Sequence, residues 1–446
     1  MAADLLDLCA EAVHAASGSE EVEAFAQESR RTDVRARAGE VEVLTFAESR
    51  GVGVRVITGS RMGYAWVADP TSQEVREAVD RARATAALAG ADEHNALPGP
   101  ARPQPLDGLF RESLVGMPTE RKVTLALDLE VAATRLDPRV RKVQVAGYGD
   151  AVSRVAIASS RGVSAEYRRT DCWCSVSALA EHDGETQTGS TFRQGRQADE
   201  LDWMACAREA VDRGTRLLGA RKPESRRVPV VLDPAAAVSF LGVLSGALSA
   251  ESVQKGRSLF ADLLGEPVGS AEVHLVDDGR LLAGPGAAPV DDEGVPTQRT
   301  ALIDRGRLSA YLHNTRTALK GRTLSTGNAG RAGFRSPPGV APTNLFLAAG
   351  KASPDDLLAG AEGGVYIQEV SGVHSGANPI SGQLSVGATG LRITGGELGE
   401  PLREMTVAST LPRMLMAVSA VASDLRFFGG TGSPTVLVGE MTVGGT

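Results

Sequence analysis

Hydrophobic positions in the first quarter of the chain change period twice. Leu5, Leu8, Cys9, Ala12 and Val13 recur at helical spacing, and Ser17-Gly18 ends that run. From Val22 to Ala68 the period becomes two. VEVLTF and GVGVRVITG alternate apolar with polar, punctuated by Gly51 and Gly59-Ser60, which predicts an antiparallel meander. Helical spacing returns over Gln73–Leu88, with Thr71 or Ser72 placed to cap it. Residues 90–117 are proline-rich and aperiodic, so they read as a connection crossing the surface. Thr119–Leu136 is again amphipathic, a second alternating block runs from Val140 to Arg193, and a third helix covers roughly Asp199–Leu218. Helices layered on strands in this order predict an α+β domain that ends near the polar hinge Lys222-Pro223-Glu224.

The pattern then changes. Pro234–Ser249 is apolar on nearly every face, which predicts a fully buried helix. Short strands broken by glycine and proline follow: AEVHLVDDG, TALIDRGRLSAYL, TNLFLAAG, GGVYIQEV, GQLSVGATGLRITGGEL and PTVLVGEMTV, with one more helix expected over Leu411–Asp424. The expected fold class is α+β: an N-terminal α+β domain of antiparallel strands and helices (1–224), then a C-terminal, mostly-β domain with one buried helix (225–446).

Composition changes this picture little. A chain of 446 residues, 42% hydrophobic, can bury two cores without staples, and with only 4% aromatics those cores must be built from Val, Leu, Ile and Ala. The net charge of −8, with both signs interspersed, lacks the basic footprint that phosphate neutralisation needs and argues against direct contact with nucleic acid. Cys172 and Cys174 are separated by one residue rather than the two to four of a zinc ribbon. With Cys9 and Cys206 they suggest neither a disulfide framework nor a structural metal site. The opening MAADLLDLCAEAVHAA has no basic leader segment, and no run of about 18 apolar residues occurs, so a cytoplasmic, reduced protein is expected.

Candidate chemistry is sparse. A helical zinc-peptidase site needs two histidines about one turn apart and a glutamate to activate water, but His14, His94, His182, His274, His313 and His374 are isolated from one another. The loop SGVHSGANPISGQLSVGATG (371–390) sets His374 beside Ser375, with Ser381 following. A serine hydrolase would want a nucleophile elbow, and neighbouring strand residues point to opposite faces. Pro379 fixes one backbone angle there, while Asn378, Ser375 and Ser381 can tie the loop to itself. His374 is then expected to brace the loop or to line a cleft together with Ser375, Asn378 and Ser381. The acidic runs Asp277-Asp278 and Asp291-Asp292-Glu293 read as solvated turn tips, and the pairs Arg30-Arg31, Arg168-Arg169 and Arg226-Arg227 as solvated faces or edge protection.

The sequence VSGVHSGANPISGQLSVGATGLRITGGELGEPLREMTVASTL, with SLFADLLGEPVGSAEVHLVDDG and PTVLVGEMTVGG, closely resembles the TldD/PmbA family, described both as modulators of DNA gyrase and as components of a cytoplasmic metallopeptidase. The resemblance spans essentially the whole chain, and H-S-G-x-N-P-x-S-G marks the PmbA (TldE) branch. It implies pairing between two kinds of subunit. The TldD kind carries H-E-x-x-x-H on the apolar helix and a cysteine ligand near the C-terminus. Sliding that motif from Gly256-Arg257-Ser258-Leu259-Phe260 places its histidine, glutamate and second histidine at Leu241, Gly242 and Gly246, and no cysteine follows Cys206. The resemblance therefore implies a chain with no catalytic residues and no metal or other cofactor of its own. It would form a heterodimer with a zinc-bearing TldD-type subunit, or a homodimer when isolated, with the apolar helix 234–249 suggested as part of the contact, and would act on peptides. Natural-product processing, antitoxin degradation and general turnover all remain open. The alternatives are a self-sufficient hydrolase using His374 with a serine, and a non-enzymatic regulator binding DNA gyrase.

Overall fold

The computed structural model of the chain describes residues 3–445. Strands β1 (Glu21–Arg37), β2 (Glu40–Thr58), β3 (Arg61–Ala68), β4 (Val140–Ser159), β5 (Ser164–His182) and β6 (Glu185–Gly195) form one antiparallel sheet in the order β3-β2-β1-β4-β5-β6. Ala38 and Gly39 take positive φ of 56° and 79° at the β1–β2 tip, the two-residue turn whose twist suits a hairpin.

Helices α1 (Leu5–His14), α2 (Ser72–Leu88), α3 (Glu112–Val115), α4 (Thr119–Leu136) and α5 (Trp203–Thr215) complete this domain. The alternation of β1 divides it. Val22, Ala24 and Ala26 pack under α1 and α2, and Val34 and Ala36 pack with Ala126, Leu129 and Ala133 of α4. The opposite face turns Phe25, Val155 and Ile157 towards Val290 and Phe334 of the C-terminal domain. Thr71 caps α2 through a reciprocal bond with Glu74, as the sequence suggested.

In the C-terminal domain, β7 (Arg226–Leu232) pairs in parallel with Val365–Ser371 and antiparallel with Val436–Gly445. Strands Gln383–Thr394 and Glu397–Thr410 continue the sheet, and Met405–Ala408 pairs back onto Thr442–Gly445, closing five strands into a barrel. A second six-stranded sheet is built from Leu275–Asp278, Arg299–Asp304, Arg307–Leu308, Leu345–Leu347, Arg426–Phe428 and Thr431–Ser433. Helix α6 (Pro234–Ala247) shares a single core with the barrel and this second sheet. The fold is thus α+β with a β-rich C-terminal domain.

Several expectations need correction. The helix expected over Leu411–Asp424 stops at Met416, and Val418–Val421 is a strand pairing with Val436–Val438. Helix α6 is not buried all round, because Gly242 and Gly246 are exposed. Its all-apolar appearance came from small residues on an open face. The arginine pairs lie on solvated faces, Arg169 alone among the six being half-buried, but they do not guard sheet edges: β1, β5 and β7 are interior strands. The acidic runs are not solvated tips, since Asp277, Asp291 and Glu293 are buried.

Candidate functional site

Two elements bear on function: helix α6, onto which the sequence comparison slid the H-E-x-x-x-H motif, and the loop containing His374. Helix α6 starts where Asp233 leaves β7. Its carboxylate accepts from the Ala235 N–H at 2.9 Å, and Pro234 supplies a first-turn φ without a wasted donor. Asp233 is buried, so its charge needs partners. The Arg213 guanidinium from α5 lies 2.9 Å away and the Tyr366 hydroxyl donates at 2.6 Å. Burial and the Asp233 charge push the Tyr366 pKa well up, so that hydroxyl remains a donor. The helix is therefore fixed at its first turn to both domains.

From there Ala236, Ala237, Phe240, Leu241, Leu244 and Ala247 face the core. Gly242 and Gly246 face outward, and a Cβ added at either would meet nothing within 4 Å. The three motif positions divide: Leu241 is 6% exposed inside the core, whereas Gly242 and Gly246 lie open. None of the three offers a metal donor.

The loop is self-tied as its residues suggested. Asn378 Oδ1 accepts from the N–H groups of Ile380 (2.9 Å) and Ser381 (3.0 Å), Ser381 Oγ accepts from Gln383 N–H (3.3 Å), and Ser375 Oγ donates to the Gly372 carbonyl (3.2 Å). The Gly382 carbonyl accepts from Leu411 N–H at 2.7 Å, anchoring the loop to the following helix. The four predicted residues, His374, Ser375, Asn378 and Ser381, thus share one loop, and all four are exposed. Among the described residues His374 has no hydrogen-bond partner, and neither Ser375 nor Ser381 bonds to it.

The other histidines are dispersed. His94 and His274 each place Nδ1 3.0 Å from a carboxylate, Asp92 and Asp304 respectively. His313 is half-buried with Nδ1 unpartnered, and loss of solvent lowers its pKa. Among the described residues no group of three or more His, Cys, Asp or Glu side chains could hold a metal ion. A zinc site needs three or four such donors converging, so zinc does not fit the residues described here. Burial pushes the Cys9 and Cys172 thiols up to about 12, which leaves them protonated and poor nucleophiles.

A buried ionic chain between the two domains was not legible in the sequence. Arg55 on β2 binds Glu23 on β1 at 2.5 Å and Glu293 of the C-terminal domain at 2.8 Å, and Glu23 also binds Arg331. All four side chains are at most 5% exposed. Burial raises the pKa of Glu293, but Arg55 and the Thr315 N–H outweigh it and hold the carboxyl below its ordinary range. Burial and the Glu293 charge push the neighbouring Asp291 well up. Alongside, Phe334 seats on β2 where Gly51 and Gly53 leave room, and its carbonyl accepts from the Tyr64 hydroxyl at 2.8 Å.

An α+β domain locked to a β-barrel domain with a capped helix buried on one face defines a class, and comparison with known proteins identifies it. Residues 22–86, 112–218 and 225–445 match the first, central and C-terminal domains of the PmbA/TldA metallopeptidases. The chain belongs to the PmbA/TldD metallopeptidase family. It is 28% identical to the metalloprotease PmbA of Escherichia coli O157:H7, over 97% of this chain and 94% of the relative. It is also 28% identical to a TldD homolog of Haemophilus influenzae, over 90% and 88% of the two chains. A crystal structure described as a putative modulator of a DNA gyrase, from Thermotoga maritima, superposes with a TM-score of 0.89 at 26% identity over 98% of both chains. TldE of Thermococcus kodakarensis has the same fold, with a TM-score of 0.90 at 21% identity over 98% of this chain and 99% of that one. Among the described residues no helix is long and apolar enough to cross a membrane.

Proposed function

We propose that this chain is the metal-free, TldE/PmbA-type subunit of a cytoplasmic peptidase, pairing with a TldD-type subunit that carries the zinc and performs the cleavage of peptides. One observation carries the reading: on the helix where the metal motif belongs, the three motif positions are a core leucine and two open glycines, and among the described residues no other converging set of donors replaces them. In this reading His374, Ser375, Asn378 and Ser381 line a cleft shared with the partner. Their exposure and the loop's internal bonds suit that role, since a held, solvent-facing loop can meet another chain without refolding. Residues 1–224 and 225–446 act as the two structural units.

The test is co-expression with a protein of this family that contains H-E-x-x-x-H, followed by metal analysis and a peptide digest. The complex should hold zinc in the partner and cleave peptides, and changing the partner's motif glutamate should abolish cleavage. Stoichiometric zinc in the isolated chain, lost when His274, His313 or His374 is replaced, would overturn the proposal.

A further inference from the structure

The N-terminal sheet has a trough on the face turned away from its helices. Alternation along β4 puts Gly147, Gly149 and Ala151 on that face, between larger residues on the neighbouring strands. Arg31 of β1 and Asp171 of β5 lie on either side of Ala151, and Trp173 of β5 lies opposite Gly149. Without a Cβ at 149 the Trp173 ring lies down across the strand; a Cβ there would sit 2.3 Å from it. The Arg31 guanidinium stacks over that ring, 4.6 Å from its centroid. The facing wall is the segment 282–285 of the C-terminal domain, and it is held in place. The Gly284 carbonyl accepts from Arg196 at 2.9 Å, and Asn344 accepts from the Gly286 N–H at 2.8 Å. Phe192 lines the cleft and meets Phe428 of the C-terminal domain edge to face, 5.6 Å between ring centres. The cleft so enclosed measures about 760 Å³, within the ~300–1,000 Å³ of small-ligand sites.

Its electrostatics select an occupant. Arg31, Arg169 and Arg196 line the cleft against Asp171 and Glu200. Asp171 is shared, accepting from Arg169 Nε at 2.9 Å and from Arg196 Nη1 at 2.5 Å. Glu200 accepts from the Arg196 backbone N–H at 2.7 Å. Among the described residues the two terminal nitrogens of Arg169 donate to nothing. Two guanidiniums on one carboxylate leave a positive charge over, beside apolar surface where an opposite charge is attracted more strongly than in open water. We infer that this cleft binds the C-terminal residue of a peptide. Its α-carboxylate sits over Ala151 between Arg169 and Arg31, and its apolar side chain lies against Trp173 and the 282–285 wall. A carboxylate is the monoanion that matches one surplus charge, and a guanidinium with both terminal nitrogens free can hold it through two parallel bonds. The choice of a peptide rests on the reading of the chain as a peptidase component, whereas the carboxylate and the apolar group follow from the lining alone.

The test uses the full-length chain alone, with neither partner nor zinc. The cleft is then judged by binding to this chain and the peptidase reading by cleavage in the complex, so either can fail while the other stands. Calorimetric titration with N-acetyl-alanyl-phenylalanine should show binding at one site, and the same compound with its C-terminus amidated should bind at least about tenfold more weakly. Arg169→Gln should lower the affinity for the acid by about the same factor and leave that for the amide unchanged. Arg31→Gln, at an exposed side chain, should act in the same direction with an unchanged circular dichroism spectrum. Ala151→Leu fills the trough without touching a charge and should abolish binding of both compounds. Trp173→Phe should still bind the acid but lose the change in tryptophan fluorescence that binding produces. No binding of the acid below about 10 mM, equal affinity for acid and amide, or full binding by Ala151→Leu or by both arginine variants would each overturn the inference.

Discussion

Replacing Glu23 by glutamine removes one charge from the chain of four that joins the domains and keeps the side chain's shape. Glu23 is the carboxylate shared by Arg55 and Arg331, and it is 1% exposed. After the change Arg55 keeps Glu293 at 2.8 Å. The Arg331 guanidinium then loses its direct carboxylate pair and keeps the Asp292 carbonyl at 3.2 Å, the Tyr64 hydroxyl at 3.4 Å, the Ser336 carbonyl at 3.5 Å and the Phe25 ring at 5.0 Å, with the Asp292 carboxylate nearby. A neutral amide can accept from one guanidinium but must turn its own N–H₂ towards the other. Breaking a buried pair in this way costs about 3–5 kcal/mol, a large share of a domain's ~5–15 kcal/mol. Urea unfolding, followed by fluorescence and by limited proteolysis at the domain junction, should show that loss in Glu23→Gln. Adding Arg331→Met removes the stranded cation, and the double variant should recover at least ~2 kcal/mol. A loss below about 1 kcal/mol in the single variant, or a double variant less stable than the single, would refute the assignment of this cluster as the interdomain lock.

Gly51→Val should cost ~1–3 kcal/mol in the same assay, because a Cβ there would sit 2.3 Å from the Phe334 ring; an unchanged unfolding midpoint would show that Phe334 can move aside. The Asp92 carboxyl is held at about 2, chiefly by the His94 N–H and also by Arg316. With its folded pKa below the unfolded one, the stability it contributes is present above pH ~4 and is lost as pH falls towards 2. The stability difference between wild type and Asp92→Ala should therefore shrink over that interval, and a constant difference from pH 6 to 2 would contradict it. His374→Ala should lower the peptide turnover of the two-subunit complex severalfold without abolishing it; complete loss, with assembly and partner zinc intact, would make His374 catalytic.

What was legible in the sequence was local. The two-residue alternation of VEVLTF and GVGVRVITG, and the helical spacing around Leu5 and over Thr119–Leu136, report side chains facing a core a few ångströms away. The helices appear where that spacing places them, and so do the strands, except that Gly51 is no turn: VEVLTF and GVGVRVITG are one strand, β2. The self-tied loop was legible for the same reason, since Asn378 and Ser381 bond within a few residues of themselves. The acidic runs misled because their partners are remote. Glu293 is neutralised by Arg55, 238 residues earlier, and Asp277 is bound by Asn328 and Thr343. A carboxylate beside a glycine looks solvated until the fold brings a guanidinium to it. Helix α6 misled differently: glycine and alanine score as apolar, so a face with no side chains resembled a buried one.

That open face bears on the proposed absence of a metal site. In a helix interior each glycine costs about 1 kcal/mol relative to alanine, and here neither Gly242 nor Gly246 repays it by allowing a close approach. The cost is bearable because α6 is held elsewhere, by Asp233 at its first turn and by Phe240 and Leu244 in the core. Side chains at 242 and 246 can therefore change without repacking the domain. Leu241 is different, being packed in the core, so a donor there would have to be buried among leucines and valines and reach its metal from inside. Converting this chain to a metal site in the motif's register thus requires filling two vacant positions and rebuilding one occupied one. That asymmetry supports the proposed reading of the chain as a metal-free subunit rather than as a zinc subunit lacking a single ligand.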